Sequence, residues 1–225
     1  SQVDSSEKTS VNDLVNYGSV RGEQMVGGIL GYSSRVNIGG ATANYGSVSG
    51  KDDNSNQIGG IVGQAYETTI GDGKNQIINQ LDVTGGYNVG GIVGSLRGSN
   101  TVQNAANYGD VTAKGYVEQN YEYHKVDGNI DSKTVNVANA GGIVGSANGA
   151  ATTQPGKVTI NNVQNYGDVK TSQAAESNYS YYIAGNVGGI VGRAENTTIT
   201  NAENSENHVA GAHNVGGVVG YLTGE

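Results

Sequence analysis

Residues 186–204, "NVGGIVGRAENTTITNAEN", place three glycines around two aliphatic residues and follow them with short runs of Thr, Ile and Asn. The same glycine box, "GG[IV][ILV]G", begins at Gly27, Gly59, Gly90, Gly141, Gly188 and Gly216. A second box, "NYG[SD]V", begins at Asn16, Asn44, Asn107 and Asn165, with weaker copies at Asn79 ("NQLDV") and Asn204 ("NSENHV"). Because the two boxes alternate along the chain, the sequence is an array of six internal repeats.

The residues around each Asn box predict short β-strands. A Val follows the Asn by four positions, as in Val48 and Val111, and segments such as "KVTIN" and "TTITN" alternate and end at Gly or Asn. We expect two or three strands of three to five residues in each repeat of about 28 residues. No segment shows the 3.6-residue apolar period of a helix.

These features predict an all-β fold, a right-handed parallel β-helix (β-solenoid) of about six coils. One repeat cannot bury its inner face alone, whereas coils stacked about 4.8 Å apart form continuous ladders of like residues. We expect right-handed coiling because parallel crossover connections are right-handed almost without exception. Residues 1–10 form a polar N-terminal segment, and residues 11–225 form a single solenoid.

Most of the additional length follows the Val of an Asn box, at about residues 112–139 and 170–186, with a smaller excess at 49–57. Insertions at equivalent positions of a solenoid emerge from one corner, so we expect the two long insertions to be neighbours.

The boxes also predict which side chains form ladders. If the glycine box is an extended strand, its two aliphatic residues point to opposite faces. One ladder then fills the coil, and the other faces outward, covered by a loop or available for docking. The glycines permit either a positive φ or close approach of another segment. The box asparagines predict an amide ladder, and the tyrosines beside them a ring stack: Tyr17, Tyr45, Tyr108 and Tyr166.

The composition excludes several functions. There are 38 glycines in 225 residues but no Phe, Trp or Cys, which suits thin stacked layers better than a large globular core. The net charge of −8 argues against nucleic-acid binding, and no apolar run is long enough for direct membrane insertion.

Catalytic and nucleotide-binding motifs are missing, and His124, His208 and His213 lack zinc-site spacing. "KDDNSN" and "GDGKN" lack a full calcium-loop pattern. We therefore expect no enzyme activity, no cofactor and no metal.

The two boxes together resemble the GLUG-motif repeats of bacterial surface proteins. The resemblance rests on "NYGSVRGEQMVGGILG" (16–31), "NYGDV" at Asn107 and Asn165, and "VGGIVG" at Val89 and Val187. Such repeats occur in non-catalytic regions of IgA-cleaving metallopeptidases and in adhesin-like proteins. The resemblance implies a secreted or cell-surface bacterial protein that forms part of a larger chain with other domains. Protease activity does not carry over, because the peptidase's zinc motif is missing.

The insertions depart from the plain repeat and supply the candidate binding residues. A tyrosine offers an apolar ring with a hydroxyl group, which suits contacts with sugars or proteins. The insertions hold six tyrosines: Tyr116, Tyr121, Tyr123, Tyr179, Tyr181 and Tyr182. We expect an adhesin or stalk segment that presents this edge to a host surface protein or glycan, although loops that only pack their own rings on the rod explain the same pattern.

Two other functions are compatible with the sequence. A β-helix carbohydrate-active enzyme requires carboxylates that converge in a groove, and the candidates are Asp110, Glu118, Glu122, Asp127 and Asp131. An assembly unit would use its coil ends or its outward aliphatic ladder.

Overall fold

A computed structural model describes residues 7–114, 117–124, 130–149, 156–171, 185–211 and 214–224, with backbone pairing alone for 117–124 and 130–137. The secondary structure of these residues is β throughout, and the parallel strands stack as six rungs. The predicted parallel β-solenoid is thereby confirmed. None of the described segments contains a helix that is long and apolar enough to span a membrane.

Rungs 1 to 3 each contain five short strands. Rung 1 has β1 (Thr9–Asn12), β2 (Val15–Asn16), β3 (Val20–Gly22), β4 (Gln24–Gly27) and β5 (Leu30–Ser34). Rung 2 has β6 (Val36–Gly39), β7 (Ala43–Asn44), β8 (Val48–Gly50), β9 (Asn56–Gly59) and β10 (Val62–Tyr66). Rung 3 has β11 (Thr69–Ile70), β12 (Ile77–Asn79), β13 (Val83–Gly85), β14 (Tyr87–Gly90) and β15 (Val93–Arg97).

Rungs 4 to 6 each begin with one strand of eight residues. Rung 4 has β16 (Asn100–Asn107), β17 (Val111–Ala113), the inserted β18 (Val117–His124) and β19 (Ile130–Val137), then β20 (Asn139–Gly141) and β21 (Val144–Asn148). Rung 5 has β22 (Val158–Asn165), β23 (Val169–Thr171), β24 (Asn186–Gly188) and β25 (Val191–Glu195). Rung 6 has β26 (Thr197–Asn204), β27 (Val209–Ala210), β28 (Val215–Gly216) and β29 (Val219–Thr223).

Four parallel sheets run along the rod. Sheet A contains β1, β2, β6, β7, β11, β12, β16, β22 and β26, and sheet B contains β3, β8, β13, β17, β23 and β27. Sheet C contains β4, β9, β14, β20, β24 and β28, and sheet D contains β5, β10, β15, β21, β25 and β29. The chain passes through sheets A, B, C and D in that order, and then rises to the next rung.

The expectation of two or three strands per coil is wrong, because each rung has four or five strands, apart from the inserted hairpin of rung 4. Sheet A bends in the middle of every rung, where a residue adopts a positive φ. These residues are Asp13, Gly40, Gly71, Asn104, Asn162 and Asn201. Gly, Asn and Asp tolerate this conformation best, so the bend is encoded by residues that the box pattern does not include.

The aliphatic side chains form two cores. The first lies between sheets A and D and contains the A-sheet ladder of Ile38, Ile70, Val102 and Ile160. The second lies between sheets B and C and contains the Val ladder of the Asn box, including Val83 and Val111. Burying one such side chain contributes about 1.5–3 kcal/mol, and the repeated rungs multiply this contribution.

The prediction that one aliphatic ladder of the glycine box faces outward is wrong. Ile61 and Val62 are both fully buried in the first core, as are the equivalent pairs of rungs 3 to 5. The box is a corner between sheets C and D and not an extended strand. The amides of Ile61 and Val62 both donate to the carbonyl oxygen of Ile92, at 3.0 Å each. The chain therefore turns between the two residues and directs both side chains inward.

Close approach of other segments explains the three glycines of the box, and none of them has a positive φ. A Cβ on Gly59 would lie within 3.0 Å of the carbonyl oxygen of Val62, and one on Gly60 within 3.0 Å of the Asn79 amide. A Cβ on Gly63 would meet the backbone of β4 in the preceding rung. Any larger residue would force these segments apart.

Candidate binding site

The predicted amide ladder is present at the turn between sheets A and B. Each box Asn donates a hydrogen bond from Nδ2 to Oδ1 of the Asn in the next rung, at 2.8–2.9 Å, in the order Asn16, Asn44, Asn79, Asn107, Asn165 and Asn204. In rungs 1 to 5 it also donates to the backbone carbonyl two residues later, at 2.6–2.8 Å. These bonds hold the turn in the same place on successive rungs.

The residue after each Asn therefore occupies an equivalent place on every rung. These residues are Tyr17, Tyr45, Gln80, Tyr108, Tyr166 and Ser205. Tyr17 and Tyr45 are stacked with their ring centroids 5.2 Å apart, and Tyr108 and Tyr166 with theirs 4.9 Å apart. The predicted stacking is confirmed as two pairs, and Gln80 lies in the rung between them.

The rings are not buried by this stacking. Tyr17 is 77% exposed, Tyr45 40% and Tyr108 42%, and Tyr166 is half-buried. Burial raises the pKa of the Tyr166 hydroxyl, and the nearby Tyr108, Glu203 and Glu206 raise it further. The tyrosine positions thus serve the fold through ring contact and also present an aromatic surface to solvent.

A second polar ladder lies two residues further along rungs 3 to 5. Oδ1 of Asp82 accepts the backbone N–H of Asp110 at 3.0 Å, and Oδ1 of Asp110 accepts that of Asp168 at 2.9 Å. Oδ1 of Asp168 accepts the N–H of His208, and this bond is the main reason that the pKa of Asp168 lies below its usual value. Oδ2 of Asp82 and Asp110 has no hydrogen-bond partner among the residues described.

The two ladders follow one another along the same turn, and we call these positions together the tyrosine–aspartate strip. It consists of Tyr17, Tyr45, Gln80, Tyr108 and Tyr166 together with Asp82, Asp110 and Asp168. Aromatic faces beside carboxylate and amide oxygens provide apolar contact together with hydrogen-bond acceptors. The sequence pattern predicted the stacking but not the exposure, because the fold alone determines which side of the turn meets solvent.

The two long insertions leave and rejoin the solenoid at the same corner. β18 and β19 form a separate antiparallel hairpin, which leaves the rod between β17 and β20. Residues 172–184 lie between β23 and β24, which pair with β17 and β20 respectively. The insertions therefore start and end at adjacent positions of two successive rungs, between sheets B and C.

The structure locates two of the six predicted binding tyrosines. Tyr121 pairs with Lys133 and Tyr123 with Asp131, both within the hairpin. The other four lie outside the described residues: Tyr116, Tyr179, Tyr181 and Tyr182.

The carboxylates of the enzyme alternative fall in two places. Asp110 belongs to the aspartate ladder, whereas Glu118, Glu122 and Asp131 lie on the strands of the hairpin. Asp127 lies outside the described residues. In the described part of the chain, no three His, Cys, Asp or Glu residues are placed to hold a metal ion.

The carboxylate of the "GDGKN" segment, Asp72, has a structural role. Asp72 accepts the backbone N–H groups of Gly40, Lys74 and Asn75 at 2.8–3.1 Å. These bonds lower the pKa of Asp72 below its usual range. Through these hydrogen bonds, the carboxylate holds the additional loop of rung 3 against rung 2.

A second amide ladder was missed by the sequence analysis. It precedes the glycine box and links Asn56, Asn88, Asn139, Asn186 and Asn214 through bonds of 2.6–2.9 Å. The signal in the sequence is an Asn two or three residues before "GG" in rungs 2 to 6.

The fold defines a class of protein, the parallel β-solenoid built from repeated rungs. Comparison with known families identifies the repeat: the model of the GLUG motif matches residues 183–209, and the resemblance is confirmed for that segment. The matched segment includes β24, β25 and β26 and ends at the first residue of β27, and these strands pair with the equivalent strands of the preceding rung. No curated protein and no solved structure matches the chain.

Proposed function

We propose that this chain is a non-catalytic, extracellular repeat module, secreted or held at a bacterial cell surface, whose rod presents a binding face for neutral glycans. The GLUG motif supports a repeat module of a larger protein. The observation that carries glycan binding is the tyrosine–aspartate strip, in which exposed rings stack between rungs and a ladder of carboxylates follows two residues later along the same turn.

Each part of the strip corresponds to a part of a sugar. The C–H groups on one face of a pyranose ring pack against the electron-rich face of an aromatic ring. Its hydroxyl groups donate hydrogen bonds to carboxylate oxygens, and bonds to charged acceptors are the stronger ones. Because the amide ladder fixes the rungs, little conformational entropy is lost when a ligand binds.

The negative charge of the chain favours neutral glycans over acidic ones. The chain has a net charge of −8, and the strip itself contains three carboxylates. Sialylated and sulfated glycans are repelled by such a surface, whereas neutral ones are not.

The insertion edge is close enough to extend this face. Asp110 of the strip and Lys114 flank β17, a strand of three residues that spans about 10 Å. An oligosaccharide of a few residues on the strip therefore reaches the corner from which both insertions emerge. The six insertion tyrosines are proposed as additional contacts with the same glycan.

A glycan array that carries neutral, sialylated and sulfated oligosaccharides tests the proposal. We expect binding to neutral glycans, with more than about tenfold weaker affinity for Tyr108→Ala, as for loss of a central aromatic contact. Tyr32→Ala is the matched control, because Tyr32 is 53% exposed but lies on sheet D, away from the strip. A Tyr181→Ala, Tyr182→Ala double variant tests the insertion edge separately.

Two results would overturn the proposal. The first is that the unmodified chain binds none of the glycans, and the second is that Tyr32→Ala weakens binding as much as Tyr108→Ala.

A further inference from the structure

We infer that the two ends of the rod are complementary and that copies of this chain stack end to end, with rung 6 of one copy against rung 1 of the next. The rung 6 end consists of β26 to β29, and the rung 1 end consists of β1 to β5. Stacking of this kind does not depend on glycan binding.

The rung 6 end leaves core positions of the solenoid open to solvent. Val218 is 41% exposed, whereas the residue at its position in rungs 2 to 5 is a fully buried Ile. Leu222 is 62% exposed, whereas its partner Ala194 in β25 is fully buried. A terminal rung with exposed apolar positions needs a polar cap or a further rung against it, and the described part of the chain leaves these two side chains uncovered.

The backbone groups at the two ends are complementary. At each corner between sheets C and D, an amide donates to the carbonyl oxygen of the equivalent residue in the next rung. The bond from Ile29 to Ile61 is 3.0 Å long, and that from Ile190 to Val218 is 2.9 Å long. Within the described residues, the Val218 amide has no further rung to donate to, and the carbonyl oxygen of Ile29 has no preceding rung to accept from. A second copy whose rung 1 lies on rung 6 joins this donor to this acceptor.

The amide ladder sets the register of the contact. Each box Asn donates from Nδ2 to the Asn of the next rung, as Asn165 does to Asn204 at 2.9 Å. At rung 6, Nδ2 of Asn204 donates instead to Asn207 within its own rung. Asn16 of a second copy continues the ladder when it lies over Asn204. Two rung 6 ends cannot match in this way, because turning one copy over reverses the order of the four sheets around the rod.

This register brings together two tyrosines of sheet D. Tyr221 lies in the last rung and Tyr32 in the first, and tyrosine occurs at their position only in these two rungs. The residues that occupy this position in rungs 2 to 5 are Gln64, Ser95, Ser146 and Arg193. The Arg193 guanidinium lies 5.7 Å from the centroid of the Tyr221 ring, so side chains at this position reach their neighbours between rungs. In the stack, Tyr221 therefore meets Tyr32 of the second copy, and aromatic pairs across neighbouring strands are stabilising.

The same register places Glu203 beside Val15 of the second copy. Within the rod, Nε2 of Gln164 donates to Oε2 of Glu203 at 3.2 Å, so side chains at this position of adjacent rungs are in contact. Val15 is 48% exposed, and Glu203 is exposed as well. A charge introduced at residue 15 therefore interacts with the Glu203 carboxylate of another copy only when the two are stacked in this register.

The contact is large enough for a specific complex. Each end is one rung of about 28 residues, and specific interfaces contain about 20–30 residues a side. Because every copy has both ends, the contact does not close on itself and produces open chains of copies. Each copy has a net charge of −8, so salt should strengthen the association by screening the repulsion between copies.

Sedimentation velocity between about 1 μM and about 1 mM protein tests the stacking. We expect the mean mass of the unmodified chain to rise with concentration beyond that of a dimer. Leu222→Lys should weaken the association by more than about tenfold, because stacking would bury an unpaired charge. Leu81→Lys is the matched control, because Leu81 is 46% exposed but lies in rung 3, away from both ends. Thermal melts check that both variants keep the stability of the unmodified chain.

A mixing experiment distinguishes head-to-tail stacking from any other contact. A Val15→Glu, Tyr32→Glu double variant blocks the rung 1 end, through repulsion by Glu203 and loss of the Tyr221 contact. Alone, this variant and Leu222→Lys should each be monomeric at concentrations at which the unmodified chain associates. An equimolar mixture should form dimers and nothing larger, because each variant keeps one intact end.

The charge at residue 15 tests the register itself. Val15→Lys faces the Glu203 carboxylate of the neighbouring copy, whereas Val15→Glu repels it. We expect Val15→Lys to associate about tenfold more tightly than Val15→Glu. Adding Glu203→Lys should reverse this order.

Three results would overturn the inference. If the unmodified chain stays monomeric at about 1 mM in high salt, something other than a second copy covers these ends. If Leu81→Lys weakens association as much as Leu222→Lys, the contact does not lie at the ends. If the double variant associates as tightly as the unmodified chain, or if the mixture stays monomeric, rung 6 does not meet rung 1. The glycan array remains a separate measurement, and none of these results decides it.

Discussion

Removing one amide from the middle of the Asn ladder should destabilise the whole rod. Asn107 is fully buried and makes three hydrogen bonds with neighbouring groups. It donates to the carbonyl oxygen of Gly109 at 2.7 Å and to Oδ1 of Asn165 at 2.8 Å, and it accepts from Nδ2 of Asn79 at 2.8 Å. Asn107→Ala leaves all three partners with one fewer bond. Each buried polar atom left in this way costs about 1–3 kcal/mol, so we expect a loss of at least about 3 kcal/mol in the free energy of unfolding.

Asn16→Ala is the matched control at the end of the same ladder. Asn16 is only half-buried, and the ladder continues from it in one direction, to Asn44. Water can replace part of the hydrogen bonding that is lost there, so we expect the free energy of unfolding to fall by only about 1 kcal/mol. Urea unfolding followed by far-ultraviolet circular dichroism measures both variants. If Asn107→Ala and Asn16→Ala differ by less than about 1 kcal/mol, the ladder does not hold the rungs together.

Two further predictions concern the glycine box and the loop of rung 3. Gly91→Ala should cost about 1–3 kcal/mol by overpacking, because its Cβ would lie within 3.0 Å of the carbonyl oxygen of Gly142 and the Asn107 amide. Gly217→Ala, at the same position of the last box, should be nearly neutral in thermal melts, because nothing lies within 4 Å of its Cβ; equal losses would contradict the close-approach explanation. Asp72→Asn should lower the thermal midpoint at pH 7, and the difference should shrink as the pH falls below about 4, because a carboxylate with a lowered pKa stabilises the fold only while it is ionised. A difference that is independent of pH would mean that the ionised form of Asp72 is not what holds the loop.

The candidate site was only partly visible in the sequence. The offset of one residue from the box Asn predicted that Tyr17 stacks on Tyr45 and that Tyr108 stacks on Tyr166, since equivalent residues of stacked rungs must meet. The replacement of a tyrosine by Gln80 was present as a weaker copy of the box, but its place between the two stacked pairs is known only once the neighbouring rungs are in place. The exposure of the rings and of the carboxylate oxygens depends on which side of the turn meets solvent.

The sequence by itself determined the repeat, the stacking of like residues and the corner from which the insertions emerge. It did so because a ladder requires the same residue type at the same place in each rung. The positions of these residues therefore recur at regular intervals along the sequence. The tertiary structure alone decided how each rung bends. A pattern of residue types does not distinguish a strand from a corner when both contain Gly, Ile and Val. The close contact between the Asn79 amide and Gly60 divides the interior into two cores. Both aliphatic residues of the glycine box point inward because the chain turns between them, where an extended strand would have placed one of them outside.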